Sequence, residues 1–265
     1  MSSHLLISID NGLARLTFNR PDVRNAISPE MLDDLLAFFL GAETDRSIRC
    51  IVIAGAGKHF MAGGDIKSFS LVAQQSPAER RQAFEARVNK GSHIFSVIER
   101  LPQPILASIR GAVAGAGMGF LGAADLVVAS DSASFVMAHV NIGASPDAST
   151  SYHLPRAIGI KRAKMMTLMG RPIDAKTALD YGLIDWVVAD DALQGETDRI
   201  AQTLAAGPSV AMAQAKALLN QSLNNTLAEQ LAAETIGMGL AAASEDFIEG
   251  PKAFLEKRKP LFTGR

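Results

Sequence analysis

Cysteine is almost missing. Cys50 is the only one in 265 residues, so no disulfide framework can staple the chain, which fits a reducing compartment. It lies in the apolar run 48–54 and reads as a buried strand residue, not a nucleophile. A basic surplus is also missing. Lysine and arginine number 26 against 27 aspartates and glutamates, for a net charge of -1, and the pI is about 6.5. Nothing there neutralises a nucleic-acid backbone. No segment reaches the ~18 uninterrupted apolar residues of a membrane span. No basic stretch followed by an apolar one opens the chain over Met1 to Asp10, so no signal peptide is visible and a cytoplasmic protein is expected. No His, Cys, Asp and Glu set has metal-ligand spacing, and no G-x-x-x-x-G-K-[ST] run marks a nucleoside triphosphate site.

Hydrophobic residues make up 48% and charged residues 20% of the chain, the balance of a globular protein with a sizeable core. Asn11-Gly12 between the alternating runs 5–9 and 13–18 predicts a β-hairpin. Ser28-Pro29 predicts a capped helix start. A buried strand is expected over 49–54, then a loop with four glycines over 55–64, a long helix over 77–101 and further strands at 105–109 and 126–129. Strand, glycine loop, helix and strand in alternation predict an α/β fold. After Asp147 the pattern turns helical, with helices expected over 149–158, 161–169, 175–181, 191–206, 209–224, 226–243 and 245–258 and one short strand over 185–188. The alanine-rich helices over 209–243 suggest close packing, within the chain or on another subunit.

Two glycine-rich turns stand out. In Phe60-Met61-Ala62-Gly63-Gly64-Asp65 the glycines let the backbone bend sharply, and Asp65 can cap a following helix. Gly111 to Gly119 follows a strand and opens a helix, so its N–H groups point outward with positive partial charge. Two such turns converging on one oxygen make an oxyanion hole, in which each donor is worth roughly 10²–10³ in rate. Tight packing or a dinucleotide site are the alternatives, but Gly115-x-Gly117-x-Gly119 lacks the spacing of the dinucleotide fingerprint.

Asn19-Arg20-Pro21-x-x-x-Asn25-Ala26, Phe60-x-Ala62-Gly63-Gly64-Asp65-Ile66, Gly111-x-x-x-Gly115-Ala116-Gly117 and Ala124-Asp125-Leu126-Val127 resemble the successive signatures of the enoyl-CoA hydratase/isomerase (crotonase) superfamily. So do Ile142-Gly143-x-x-Pro146-Asp147, Leu154-Pro155-Arg156, Gly182-Leu183-Ile184-Asp185 and the tail from Glu249 to Phe262. The resemblance implies an α/β crotonase spiral of β-β-α units over 1–200 and a helical trimerisation region over 201–265. It implies a homotrimer or dimer of trimers acting on an acyl-CoA thioester, with coenzyme A part of the substrate and no separate cofactor. It puts the oxyanion donors at Gly64 and Ala116. It puts CoA contacts at Arg24, Ala26, Ala62, Asp65, Ile66 and Lys67, with Lys257 reaching the CoA phosphates, sometimes from a neighbouring subunit.

The resemblance also locates an absence. Hydratases of the superfamily usually carry two glutamates, and the matching positions here are Gly119 and His139. Asp147 stands where the isomerase branches keep a single catalytic carboxylate, and the chain looks most like the epoxyphenylacetyl-CoA and Δ3,Δ2-enoyl-CoA isomerase group. One carboxylate moving a proton from C2 to C4 suffices to shift a double bond, and a largely apolar pocket would favour that role. By residue type alone, Asp147 reads as the N-cap of the helix from Ser149. His139, on a strand edge, is a structural histidine or a second proton-transfer group. His153 is assigned to structure and His59 to the solvent face. The expected activity is enoyl-CoA isomerisation. The alternatives are a specialised hydratase using His139 with Asp147, or a non-catalytic CoA-binding subunit.

Overall fold

The computed structural model describes residues 2–265. Asn11 and Gly12 hold φ of 50° and 81°, the positive values that a two-residue hairpin turn demands. They join β1 (Leu5–Asp10) to β2 (Leu13–Phe18) in antiparallel register, Leu5 opposite Phe18. The chain continues through α1 (Pro29–Ala42), β3 (Cys50–Gly55), α2 (Ile66–Val72), α3 (Pro77–Arg100), β4 (Ile105–Ile109), β5 (Ala112–Ala114), α4 (Ala116–Ala123), β6 (Leu126–Ser130) and β7 (Ser134–Val136). A 3-10 turn, Ala138–Ile142, leads to α5 (Thr150–Ile158), α6 (Ile160–Met169), β8 (Ile173–Asp174), α7 (Ala175–Tyr181) and β9 (Trp186–Val188). Four helices end the chain: α8 (Leu193–Ala205), α9 (Ser209–Ser222), α10 (Leu227–Ala242) and α11 (Glu245–Leu255).

The main sheet has six strands in the order β1-β2-β3-β4-β6-β9, parallel from β2 onward. Its central strands are apolar on both faces, as a covered parallel sheet requires. Ile51, Ile53, Ile105 and Ala107 enter the large core that α1 and α3 close, and Cys50, Val52, Leu106 and Val128 pack beneath α8. Burial pushes the Cys50 thiol up to about 12, which leaves it inert at neutral pH. The expected division at 200/201 would cut α8 itself, because Ile200 and Ala201 are both buried against the sheet.

A second sheet of three short strands, β5-β7-β8, was not expected. β5 lies inside the second glycine run, and β8 inside the stretch read as helical apart from 185–188. Ser28 caps α1 by accepting from the Met31 N–H, and Ser76 and Glu79 form a capping box on α3. Among the described residues no helix is long and apolar enough to cross a membrane.

Candidate active site

The first glycine turn is held from below by the segment before α1. Asn25 is fully buried. Its side-chain NH₂ donates to the carbonyls of Ala56, His59 and Phe60 at 3.0, 2.7 and 3.1 Å, and its oxygen accepts from the Arg20 N–H at 2.9 Å. The Ala62 N–H donates to the Arg24 carbonyl (2.9 Å), and the Ile27 N–H to that of Gly63 (2.8 Å). Arg20 then ties the Ala26 carbonyl (2.7 Å) to the Asp65 carboxylate (3.1 Å). Asp65 caps α2 through the Lys67 N–H, as expected. Burial of the carboxyl is outweighed by the Arg20 hydrogen bond and the backbone donors, which hold it below the usual carboxylate range.

The second turn is fastened to the first. Met61 exchanges hydrogen bonds with Ala112 and Ala114, at 3.2 and 2.9 Å. His59 does not merely face solvent, because its Nδ1 accepts from the Ala112 N–H at 3.1 Å and so fixes the start of β5. Gly63 (φ 94°) and Gly115 (φ 51°) meet where the turns touch. A Cβ built on Gly63 would stand 3.2 Å from the Gly115 Cα and 3.4 Å from the Ala116 nitrogen. Glycine is therefore required for the two backbones to approach. Among the described residues, neither the Gly64 nor the Ala116 N–H has an acceptor within the protein. Two free donors on abutting turns can take one oxygen between them.

Asp147 comes from the loop after the 3-10 turn, which rests on α4 through Ala148. Its carboxylate does not cap α5. The backbone carbonyl of Asp147 accepts from the Thr150 N–H and Oγ1, while its Oδ1 lies 3.1 Å from His139 Nε2. Nor is the carboxylate sunk in an apolar pocket, since its side chain is 39% exposed in the single chain against 8% for His139. His139 sits in the 3-10 turn rather than on a strand edge. Its Nδ1 is buried without a partner, so the tautomer with hydrogen on Nε2 leaves no orphan donor and gives Asp147 a hydrogen bond.

Ala148 and Ser149, at φ 50° and 58°, turn the chain sharply after Asp147, and the turn lies against Gly119. A Cβ at 119 would overlap the Ala148 carbonyl oxygen and stand 2.8 Å from the Ala148 Cβ. No side chain fits there while the turn keeps its shape.

The structure brings Arg24, Ala26, Ala62, Asp65, Ile66 and Lys67 together at one edge, with Arg24 and Lys67 exposed. It does not bring Lys257 to them within the chain. That residue is exposed beyond α11, in a tail that Arg258 fastens to Glu249. His153 is half-buried, and its imidazole is pushed down to about 4 by burial and then by Arg156. It lines a cavity of about 140 Å³ between α4 and α5, with Met118, Leu121 and Gly122. Among the described residues no cluster of His, Cys, Asp and Glu suits a metal ion. Two residues near the site carried no sequence signal. Phe69 of α2 packs its ring edge on Gly64, and Arg87 of α3 lies over that ring at 4.8 Å. Phe69 follows the first turn in the chain, whereas Arg87 reaches the site across an α2–α3 contact that no local motif encodes.

An α/β spiral with two free backbone donors on touching glycine turns, and a carboxylate in the loop resting on the next helix, can stabilise an oxygen that gains charge. The chain belongs to the enoyl-CoA hydratase/isomerase family of the crotonase superfamily, whose family model matches residues 8–265. It is 34% identical to 1,2-epoxyphenylacetyl-CoA isomerase of Escherichia coli (strain K12) over 265 residues, all of both chains. It is also 34% identical to trans-2-decenoyl-[acyl-carrier-protein] isomerase of Streptococcus mutans over 261 residues, 98% of each. The solved enoyl-CoA hydratase of Mycobacterium smegmatis superposes with a TM-score of 0.90 at 32% identity, over 98% of this chain and 99% of that one.

Proposed function

We propose that the protein shifts a carbon–carbon double bond in an acyl-CoA thioester. The thioester oxygen accepts from the Gly64 and Ala116 N–H groups. The Asp147 carboxylate takes a proton from C2, and the electron pair delocalises over the enolate and the adjacent double bond. The carboxylic acid so formed returns the proton at C4, which moves the double bond into conjugation. His139 keeps one oxygen of Asp147 occupied and so aims the other. Arg24 and Lys67 supply positive charge beside the turn that takes the CoA. Lys257 acts from a neighbouring subunit, in a trimer built on the uncovered apolar side chains of α9, α10 and the turn between them, Leu219, Leu223, Leu227 and Leu231 among them.

The observation that carries this reading is the packing at Gly119. The Ala148–Ser149 turn fills the space that a hydratase's first glutamate needs, which leaves Asp147, in the same loop, as the carboxylate for the reaction. Asp147→Asn is expected to lose about 10²–10⁴ in kcat, the usual worth of a general base, and to lose deuterium uptake at C2. A variant that still isomerises a 3-enoyl-CoA at the parent rate refutes it. The His139–Asp147 contact favours one second reading, in which the pair activates water for hydration. Product mass distinguishes the two, because hydration adds one water and isomerisation adds none.

A further inference from the structure

Arg87 is a cation without a counterion. It lies on α3 one turn after Phe84, and the two flank the Phe69 ring, Phe84 edge-to-face at 5.1 Å and the guanidinium over its face at 4.8 Å. One N–H donates to Ser68 Oγ at 3.2 Å. Among the described residues no carboxylate comes within ion-pair distance of it. The two carboxylates whose fields reach Arg87 belong to Asp147 and Asp65. Asp65 is engaged by Arg20 and Asp147 by His139. Burial meanwhile pushes the guanidinium below its ordinary range. A half-buried guanidinium whose partners are one hydroxyl and one ring face leaves most of its five donors unmet and its charge unpaired within the chain.

Its position says what the partner is. Phe69, on which Arg87 lies, packs against Gly64, and Asp147 is within reach of its charge. Arg87 therefore borders the space between the oxyanion donors and the proton-transferring carboxylate, where the acyl group lies. The exposed CoA-side cations, Arg24 and Lys67, are at the other end of the turn. An all-hydrocarbon acyl chain would leave the guanidinium unpaired and drier still. We propose that Arg87 pairs with a carboxylate on the acyl chain, so that the preferred substrates are half-thioesters of dicarboxylic acids. This rests on the thioester placement proposed above. Fork geometry suits the pairing, because a guanidinium can hold both carboxylate oxygens at once.

The test uses two unreactive saturated thioesters of equal length, adipoyl-CoA and hexanoyl-CoA, titrated calorimetrically into the full-length protein. Wild type is expected to bind adipoyl-CoA about tenfold or more tightly, the scale of one charge-assisted pair. Arg87→Met should bring the ratio to one or below, and Arg87→Lys should keep part of it. Equal affinity of the wild type for both ligands overturns the proposal, and so does a preference that survives in Arg87→Met. If Arg87→Met does not fold, the wild-type ratio and Arg87→Lys decide. Failure of folded wild type to bind either thioester defeats the thioester placement itself, an outcome distinct from equal binding.

Discussion

Replacing Gly119 by alanine tests whether the Asp147 turn is held by contact with α4. Helix propensity alone predicts a gain of about 1 kcal/mol, because glycine is a poor helix former. Packing predicts the opposite. The new methyl would overlap the Ala148 carbonyl oxygen and stand 2.8 Å from the Ala148 Cβ, whereas carbon atoms rest about 3.5–4.0 Å apart. The turn must retreat by roughly 1 Å, and overpacking of this kind costs about 1–3 kcal/mol. With a rigid backbone group as the obstacle the upper end applies, for a net loss of about 2 kcal/mol. A misplacement of about 1 Å at a reacting group costs on the order of 10² in rate, so kcat should fall together with stability. Urea denaturation and turnover of a 3-enoyl-CoA read the two effects. Gly91→Ala is the control, since a Cβ there meets nothing within 4 Å, and it should gain stability by about 0.5–1 kcal/mol. A Gly119→Ala protein as stable and as fast as the parent refutes the reasoning.

Two further outcomes follow from polar groups withdrawn from water, Asn25 fully and His153 in part. Asn25→Ala strands the carbonyls of Ala56, His59 and Phe60, and unsatisfied groups at about 1–3 kcal/mol each put the loss near 3 kcal/mol or above by thermal melting. His153 titrates near 4 when folded and near ~6.5 when unfolded. The unfolded chain therefore takes the proton first, and stability present above about pH 6.5 is lost as pH falls toward about 4. A shift of that size is worth about 3 kcal/mol. His153→Asn should remove that part of the acid sensitivity, measured as the change in urea midpoint across the window. An unchanged pH slope contradicts it.

The elements that depend on local chemistry were legible in the sequence. Asn11-Gly12 can make little but a hairpin turn, Ser28-Pro29 starts a helix, and Asp65 caps one. The two glycine turns were legible as turns, and the order of the motifs pointed to their meeting. The β5-β7-β8 sheet was not, because its strands have only two or three residues and take their stability from pairing across the chain rather than from an alternating pattern. The setting of Asp147 was also misread. Capping is the default of an aspartate before a helix, but the left-handed pair Ala148–Ser149 rotates the chain so that the carboxylate meets His139 instead. Non-glycine residues in that conformation are strained, and composition gives no warning of them. The Arg87 contact was missed because helix-to-helix proximity is a tertiary fact, and Phe69 because nothing in an apolar helix residue says that its ring folds back on the turn before it.

The touching glycines also bear on inheritance. The Gly64 and Ala116 donors are main-chain groups, so no amino-acid replacement at either position deletes the N–H itself, proline excepted. A loss-of-function screen would map this site by its neighbours. Changes at Gly63 and Gly115, where a Cβ would wedge the two backbones apart, should recur among inactive clones. On the function proposed above, a change of the Asp147 side chain leaves both main-chain donors in place. In a scaffold wired this way, the choice of reaction can drift while the activation of the substrate is kept.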